Sequence, residues 1–329
     1  MKKLLLIDAN SIIHRSFHAL PPLTAPDGSP AGALYGISSI LLKLWREDRP
    51  DYAAALFDRP EPTFRDEKYA EYKAQRPPAP DEFIAQIIAA HDLFAAFGIR
   101  TFEKPGYEAD DLIATLATKF KPEPDLQVVI LTGDRDTLQL VDGSKLVVQT
   151  FNKGVSDTTM YDEEAVKEKY GGLSPKQLVD YKALVGDASD NIKGVPGIGP
   201  KTATELIKKF GTVGKMYETF ANGDDDVAIE KLRAKFSAFK KDAELSEELV
   251  TLECHVPIDI PPLEALAPAP GTAGPAAYFE KMQFASLLKR LIMPSSAEKE
   301  GTAPAAMKAA AKKPARGKGK PDNPQAPLF

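Results

Sequence analysis

Soft-metal and disulfide chemistry is nearly absent from this sequence. A single cysteine, Cys254, excludes an intramolecular disulfide framework and a thiolate zinc site, and points to a reducing compartment. That thiol reads as a small buried hydrophobe. The four histidines, His14, His18, His91 and His255, are scattered, so zinc is not expected. Long apolar runs are missing too. Met1–Ile7 imitates the start of a signal peptide, but the run stops at Asp8, too short for the apolar region of one. No later stretch approaches the length of a membrane span. The expectation is a cytoplasmic protein with no membrane partner.

Net positive charge is the third absence. The formal charge is −5, whereas a protein that binds duplex nucleic acid is usually basic. The imbalance has a location: residues 301–329 carry six Lys or Arg against one acid, which leaves ten excess negative charges on residues 1–300. In other respects the composition is that of an ordinary globular protein. A chain of 329 residues, 43% hydrophobic and 27% charged, is long enough for a full core and one or two domains.

The surplus acids are not evenly spread. Lys3–Ile7, Tyr52–Phe57 and Val128–Leu131 are apolar runs of strand length, and each leads into aspartate: Asp8, Asp58, and Asp134 with Asp136. Between them Ala33–Leu44 and Asp81–Phe97 keep helical periodicity, and Ile99–Phe102 can form a short strand. Strands alternating with helices predict an α/β fold with a mostly parallel central sheet, whose ligand site lies at the carboxyl ends of its strands. The aspartates should therefore converge. Glu108, Asp110 and Asp111 open a further amphipathic helix that continues through Leu112, Ile113, Leu116, Ala117 and Phe120. One or two acids there need only a helix N-terminus to explain them. Three in four residues repel one another by about 1 kcal/mol per pair even in water. Together these seven acids predict a site for hard divalent cations with oxygen ligands, magnesium above all.

Downstream, Gly197-Ile198-Gly199-Pro200-Lys201-Thr202-Ala203, followed by Leu206 and Ile207, fits a helix-hairpin-helix. The glycines permit a tight turn, the next helix offers backbone N–H groups to a phosphate, and Lys201 adds charge. Such a hairpin grips the backbone of DNA without reading bases. An ordinary glycine turn between helices is the plainer alternative. Just upstream, Asp187 and Asp190 read either as helix caps or as a second metal position.

The stretches LLLIDANSIIHRSFHALPPL, TFRDEKYAEYKAQRPPAPDE, GYEADDLIATLA, LTGDRDTLQLV and VGDASDNIKGVPGIGPKTA resemble, in order, motifs of the flap endonuclease family to which the 5′ nuclease domain of bacterial DNA polymerase I belongs. The resemblance runs from residue 1 to about 293. It implies a PIN-like 5′ nuclease core over residues 1–170 with a helical arch at about 59–82, and a helix-hairpin-helix subdomain over 171–293 that clamps duplex DNA. It also implies an active site for two Mg2+ ions, with Mn2+ as a substitute. Carried over by position, Asp8, Asp58, Glu108, Asp110 and Asp111 would serve the first ion directly or through water, and Asp134, Asp136, Asp187 and Asp190 the second. Lys73, Arg76 and Arg15 align with basic residues that contact the scissile or a neighbouring phosphate.

Arg65, Tyr69 and Tyr72 join them in a basic and aromatic segment suited to a frayed 5′ end. Composition alone equally allows a solvated face there, because Glu61, Asp66, Glu67 and Glu71 dilute the charge. Gly197, Gly199, Lys201 and Thr202 would hold the duplex, and the hairpin carbonyls a K+ ion. The implied substrate is branched or nicked duplex DNA with a 5′ flap or 5′ end, or an RNA primer, cut by a monomer acting in Okazaki-fragment processing and repair. A PIN-type ribonuclease or a Toprim domain also gathers strand-end acids, and a non-catalytic junction binder would account for the hairpin alone.

After Pro294 the composition turns to Ala, Lys, Pro and Gly, so residues 294–329 are expected to form a disordered basic tail. Its end, with Gln325, Leu328 and Phe329, resembles the peptide by which bacterial replication proteins dock on the sliding clamp, and departs from it at Ala326 and Pro327. A solvated tail with accidental apolar ends is the alternative. No proofreading or polymerase segment follows, and a natural stand-alone nuclease is the expectation.

Overall fold

The computed structural model describes residues 1–152, 157–221, 233, 236–268 and 271–292. The tail and its clamp-binding candidates Gln325, Leu328 and Phe329 lie outside the described residues. Strands β1 (Lys2–Asp8), β2 (Tyr52–Phe57), β3 (Arg100–Glu103), β4 (Leu126–Thr132), β5 (Leu146–Phe151) and β6 (Thr158–Tyr161) make one sheet in the order β3-β2-β1-β4-β5-β6. All pair in parallel except β6, which runs antiparallel to β5. The three apolar runs that end in aspartate are therefore neighbours, with Leu4 registered against Tyr52 on one side and Val128 on the other.

Apolar runs without alternation belong to strands covered on both faces, and this sheet is covered on both. On one face Leu5, Ile7, Val129 and Leu131 pack under helices α1 (Ala9–Ala19), α2 (Gly32–Glu47) and, beyond a short α3 (Phe64–Lys68), α4 (Asp81–Ala96). On the other, Leu4, Leu6, Val128 and Ile130 meet Leu112, Ile113 and Leu116 of α5 (Ala109–Phe120). Full burial of side chains such as Leu4 and Leu6 stabilises the sheet by about 1.5–3 kcal/mol each. The strand order reverses at β1, because β2 and β3 lie to one side of it and β4 to the other. A crevice forms at such a reversal, at the carboxyl ends of the two strands.

Of the segment expected as a helical arch, the five residues of α3, held by a capping box between Thr63 and Asp66, and the first two of α4 are helical. Five prolines, Pro60, Pro62, Pro77, Pro78 and Pro80, remove donors and fix φ on both sides of α3. The remainder turns tightly. Lys73 adopts φ +51 and donates its backbone N–H to the Asp190 carbonyl at 3.1 Å, which ties the segment to the second half of the chain.

That second half begins with α6 (Glu163–Lys169), α7 (Gln177–Val185), α8 (Pro200–Phe210) and α9 (Val213–Ala221). Leu184, Val195, Ile198, Leu206, Ile207, Met216 and Phe220 form its separate core. The helices Ala273–Lys281 and Ala285–Ile292, grouped from sequence with this hairpin unit, instead return to the sheet. Tyr278, Phe279 and Leu287 join the core under α2 and α4, because their apolar faces match the one that α2 leaves open.

Between α7 and α8 the chain makes a tight crossing. Gly186 (φ +81) and Gly194 (φ +62) meet backbone to backbone: a Cβ on Gly194 would stand 2.3 Å from the Gly186 nitrogen. The loop they close is latched by Asp187 and Ile192, which exchange backbone hydrogen bonds of 2.8 and 2.7 Å. Asp187 and Asp190 are carried on that loop, so the two glycines set where both acids stand. Gly194→Ala should cost roughly 1–3 kcal/mol in backbone strain before any clash is counted. Gly199→Ala should be nearly neutral, since a Cβ there meets nothing within 4 Å and the φ is negative. Urea midpoints of the two variants check this difference.

Candidate metal and nucleic-acid site

The acids converge where the strand order reverses. Asp8 ends β1 and caps α1: its Oδ1 accepts from Ser11 N at 3.0 Å, and its Oδ2 accepts from the Thr132 hydroxyl at 2.6 Å. Thr132 ends β4, and its Oγ1 accepts in turn from Asp134 N at 2.9 Å. Thus the parallel register of β1 and β4 fixes Asp8 beside Asp134. Asp58, one residue past β2, accepts from Ala109 N at 2.7 Å, which draws it to the first turn of α5. From that turn Asp110 faces the group.

Burial, with the charges of Asp8, Asp134, Asp136 and Asp58, pushes the Asp110 carboxyl well above the usual carboxylate range. Asp8 is pushed up to about 7 by burial first and by Asp58 next. Five carboxylates from four chain segments therefore oppose one another's ionisation. Asp110 Oδ1 is buried without any hydrogen-bond partner. A buried carboxylate oxygen left unsatisfied costs about 1–3 kcal/mol or more, and marks a position made for another ligand. Among the described residues no three or more His, Cys, Asp or Glu side chains are grouped closely enough to hold a metal ion as they stand. Such an open, all-oxygen set fits hard cations that retain water.

The remaining acids are held by internal cations. Lys73 Nζ lies 2.5 Å from Glu108 Oε1, and Arg76 donates to Asp190 at 2.6 Å. Lys182, on α7, bridges Asp136 and Asp187, the latter at 2.6 Å. Burial works to raise the Asp187 carboxyl, but Lys182 together with the hydrogen bonds from Ser189 outweighs it and holds the group down at about 2. Lys182 is not singled out by the sequence, where it is one lysine in a helix; its place five residues before Asp187 is the available signal. Thr132, whose hydroxyl links Asp8 to Asp134 N, Ser11, whose hydroxyl accepts from Gly133 N, and Asn10, whose Oδ1 accepts from Asp58 N, carry no sequence signal of their own. Arg15 lies on α1 with its guanidinium 5.1 Å from the Phe151 ring.

Three expected roles need correction. Asp111 is not an open metal ligand: it is fully buried and both its oxygens are engaged, each by an Arg65 nitrogen at 2.7 Å. Oδ1 also accepts from Glu253 N at 2.9 Å, and Oδ2 from Glu108 N at 3.2 Å. Asp111 thus braces Arg65 and the backbone around it, while Asp110 Oδ1 next to it has no hydrogen-bond partner. Arg65 cannot meet DNA, because it is 1% exposed and its other donors go to the Leu249 and Thr251 carbonyls at 2.9 and 3.0 Å. Tyr72 is 5% exposed, with its hydroxyl 3.0 Å from Glu108 and 3.1 Å from Asp190, so its ring has no free face for a base. Tyr69 packs beside it and donates to Glu71 at 3.0 Å. Gly197, Gly199, Lys201 and Thr202 stand exposed at and just before the start of α8.

Residues 3–171 match the 5′-3′ exonuclease N-terminal resolvase-like domain, and residues 173–271 match the 5′-3′ exonuclease C-terminal SAM fold. The chain belongs to the 5′-3′ exonuclease family. A 5′-3′ exonuclease of Aquifex aeolicus (strain VF5) is 38% identical over 292 residues, covering 88% of this chain and 96% of that protein. DNA polymerase I of Caldicellulosiruptor bescii is 43% identical over 261 residues, covering 78% of this chain but 30% of that protein, so the chain spans under a third of this relative. Bacteriophage T5 flap endonuclease, solved as a pseudo-enzyme-product complex with DNA and metal ions, superposes with a TM-score of 0.61 at 20% identity. The match covers 89% of this chain and 100% of the T5 chain, and it speaks for the fold. The family is one of hydrolytic nucleases, and membership sets the chain apart from PIN-type ribonucleases, Toprim domains and stand-alone junction binders. Among the described residues no helix is long and apolar enough to cross a membrane.

Removing Arg65 would leave Asp111 charged and dry. Arg65→Ala should therefore lower stability by about 3–5 kcal/mol, read by chemical denaturation, and Arg65→Ala combined with Asp111→Leu should recover part of the loss. The acid cluster makes a second prediction. Because Asp8 has a folded-state value near 7 against 3.8 unfolded, the metal-free protein loses stability as pH rises between those values, and the cost is complete above them. A bound divalent cation offsets that cost and needs ionised ligands. The rise in Tm on adding Mg2+ should be larger at about pH 8 than at about pH 5, as thermal melts with and without EDTA would register.

Proposed function

We propose that this chain is a divalent-metal-dependent 5′-3′ exonuclease and 5′-flap endonuclease, acting on branched or nicked duplex DNA and on RNA primers. The observation that carries the reading is the group of mutually repelling carboxylates at the strand reversal, with a buried Asp110 oxygen left without a partner. Asp8, Asp58, Glu108 and Asp110 would hold one ion, and Asp134, Asp136, Asp187 and Asp190 a second. Mg2+ or Mn2+ held by these acids would supply the activation of water and the charge stabilisation that phosphodiester hydrolysis needs.

The protein's own residues do the rest. Lys73 and Arg76 pair with Glu108 and Asp190. Once those acids are neutralised, both cations are free to hold the scissile phosphate, where charge develops in the transition state. The hairpin at Gly197, Gly199, Lys201 and Thr202 grips the duplex, with a K+ ion on its carbonyls as part of the same reading. Monomeric action in the cytoplasm belongs to this proposal too, as does tethering to a sliding clamp through Gln325, Leu328 and Phe329.

A 5′-labelled flap incubated with and without Mg2+ tests the reaction. Cleavage should require the metal, and Asp134→Asn should lower it by at least about a hundredfold while leaving binding in EDTA measurable. Undiminished cleavage by that variant would remove Asp134 from the chemistry.

A further inference from the structure

Two kinds of contact hold the proline-bounded segment over the acid site, and they differ in what would break them. The ion pairs of Lys73 with Glu108 and of Arg76 with Asp190 use carboxylates that the nuclease reading gives to metal ions. Those pairs are lost once the acids take a cation. The second kind joins uncharged groups. Asn191 donates its side-chain amide to the Glu71 carbonyl at 2.7 Å, and Gln75 donates its own to the Ser189 carbonyl at 3.0 Å and the Ala188 carbonyl at 3.3 Å. The Lys73 backbone N–H completes the set on the Asp190 carbonyl. Amides and carbonyls carry no charge for a bound cation to cancel, so these bonds outlast the ion pairs.

The bonds cross in both directions. Asn191 reaches to the segment from the loop that carries Asp187 and Asp190, and Gln75, which stands between Lys73 and Arg76, reaches back to that loop. Asn191 and Lys73 stand at φ +59 and +51, in the left-handed region that a lysine adopts only when held there. The loop is itself latched between Asp187 and Ile192 and closed by Gly186 and Gly194. One latched loop thus presents two acids and also grips the stretch from which two cations project. Glu71 and Lys193 form an ion pair at 2.8 Å beside it, but both side chains are exposed, and such a pair fixes little.

We infer that Asn191 and Gln75 are positioning residues for the hydrolysis, holding Lys73 and Arg76 at a set distance from the acids after metal has taken over the carboxylates. The inference rests on the nuclease reading and deepens it: the acids bind metal, the two cations meet the phosphate, and these neutral side chains keep one group aligned with the other. Neither touches the reacting atoms. A displacement of about 1 Å in such a site lowers a rate by about a hundredfold, so the loss falls on the chemical step and not on affinity.

The test compares Asn191→Gly, which keeps the left-handed backbone and removes the donor, with Gln75→Ala, a truncation of an exposed side chain that leaves the core untouched. Single-turnover cleavage of a 5′-flap with enzyme in excess and Mg2+ gives the chemical rate, anisotropy in EDTA gives DNA affinity, and thermal melting checks the fold. Asn191→Gly should cleave about ten- to a hundredfold more slowly and Gln75→Ala at least about threefold, with affinity changed less than about twofold. In a Lys73→Ala/Arg76→Ala background the same changes should have almost no effect, because the groups they position are gone. Hydrogen exchange of the amides of residues 69–76, followed in Mg2+, should be slow in the wild type and faster in both variants. Should Asn191→Gly melt early, Gln75→Ala carries the same comparison alone. An unchanged chemical rate, unchanged exchange, or an equal fold-loss in both backgrounds, which is what general destabilisation gives, would overturn the proposal. If the wild type cuts no flap, the nuclease reading falls, while the exchange comparison still decides whether Asn191 and Gln75 hold the segment.

Discussion

Carboxylate repulsion at the strand reversal is the constraint on which the rest of the molecule depends. Parallel pairing of β1 with β4 brings Asp8 and Asp134 together through Thr132, and the bond from Ala109 N to Asp58 adds the first turn of α5. What gathers there would drive the parts away if nothing opposed it. The opposition comes from elsewhere in the chain: Lys73 and Arg76 from the proline-bounded segment, Lys182 from the helical unit. The electrostatics of the site is thus also what fastens that segment and the hairpin unit to the sheet. Charged groups that in a smaller protein would only decorate a surface here decide how three parts of the chain are assembled.

Beside this open cluster lies a closed one. Arg65 and Asp111 pair through two bonds of 2.7 Å, and the guanidinium completes its donors on carbonyls of residues 249 and 251. Burying such a pair costs desolvation of both ions, and the return is recovered only when every lone pair and proton is used. Here they are used, and the pair binds the proline-bounded segment, α5 and the chain after the Lys240–Val250 helix at one point. Two adjacent aspartates on one helical turn therefore have opposite tasks. Asp110 keeps an oxygen unsatisfied, and Asp111 keeps none.

Much of the fold is legible in the sequence because a short, continuous apolar run bounded by polar residues suits a strand buried on both faces. Tyr52–Phe57 has the same bounds in sequence and structure, and Val128–Leu131 is the middle of β4. The aspartates at strand ends are legible for the same reason, since sheet topology dictates where strand ends meet. α1 is harder to see because His14, Arg15 and His18 break its apolar face. β6 is half exposed and only four residues long, and its antiparallel pairing with β5 leaves no continuous apolar run to read. The roles of Arg65, Tyr72 and Asp111 cannot be read from spacing, since a basic-aromatic segment looks the same whether its side chains face solvent or fold inward. Lys182 is hidden likewise: only the fold shows that one lysine reaches two acids.

The return of Ala273–Ile292 to the core under α2 and α4 has a topological result. The hairpin unit leaves the sheet after β6 and rejoins it before Ala273, which makes it an insertion held at both ends rather than an appendage hung from one. A single break in the chain within the unit would therefore leave each of the two pieces still rooted in the core, where an appendage cut once is lost.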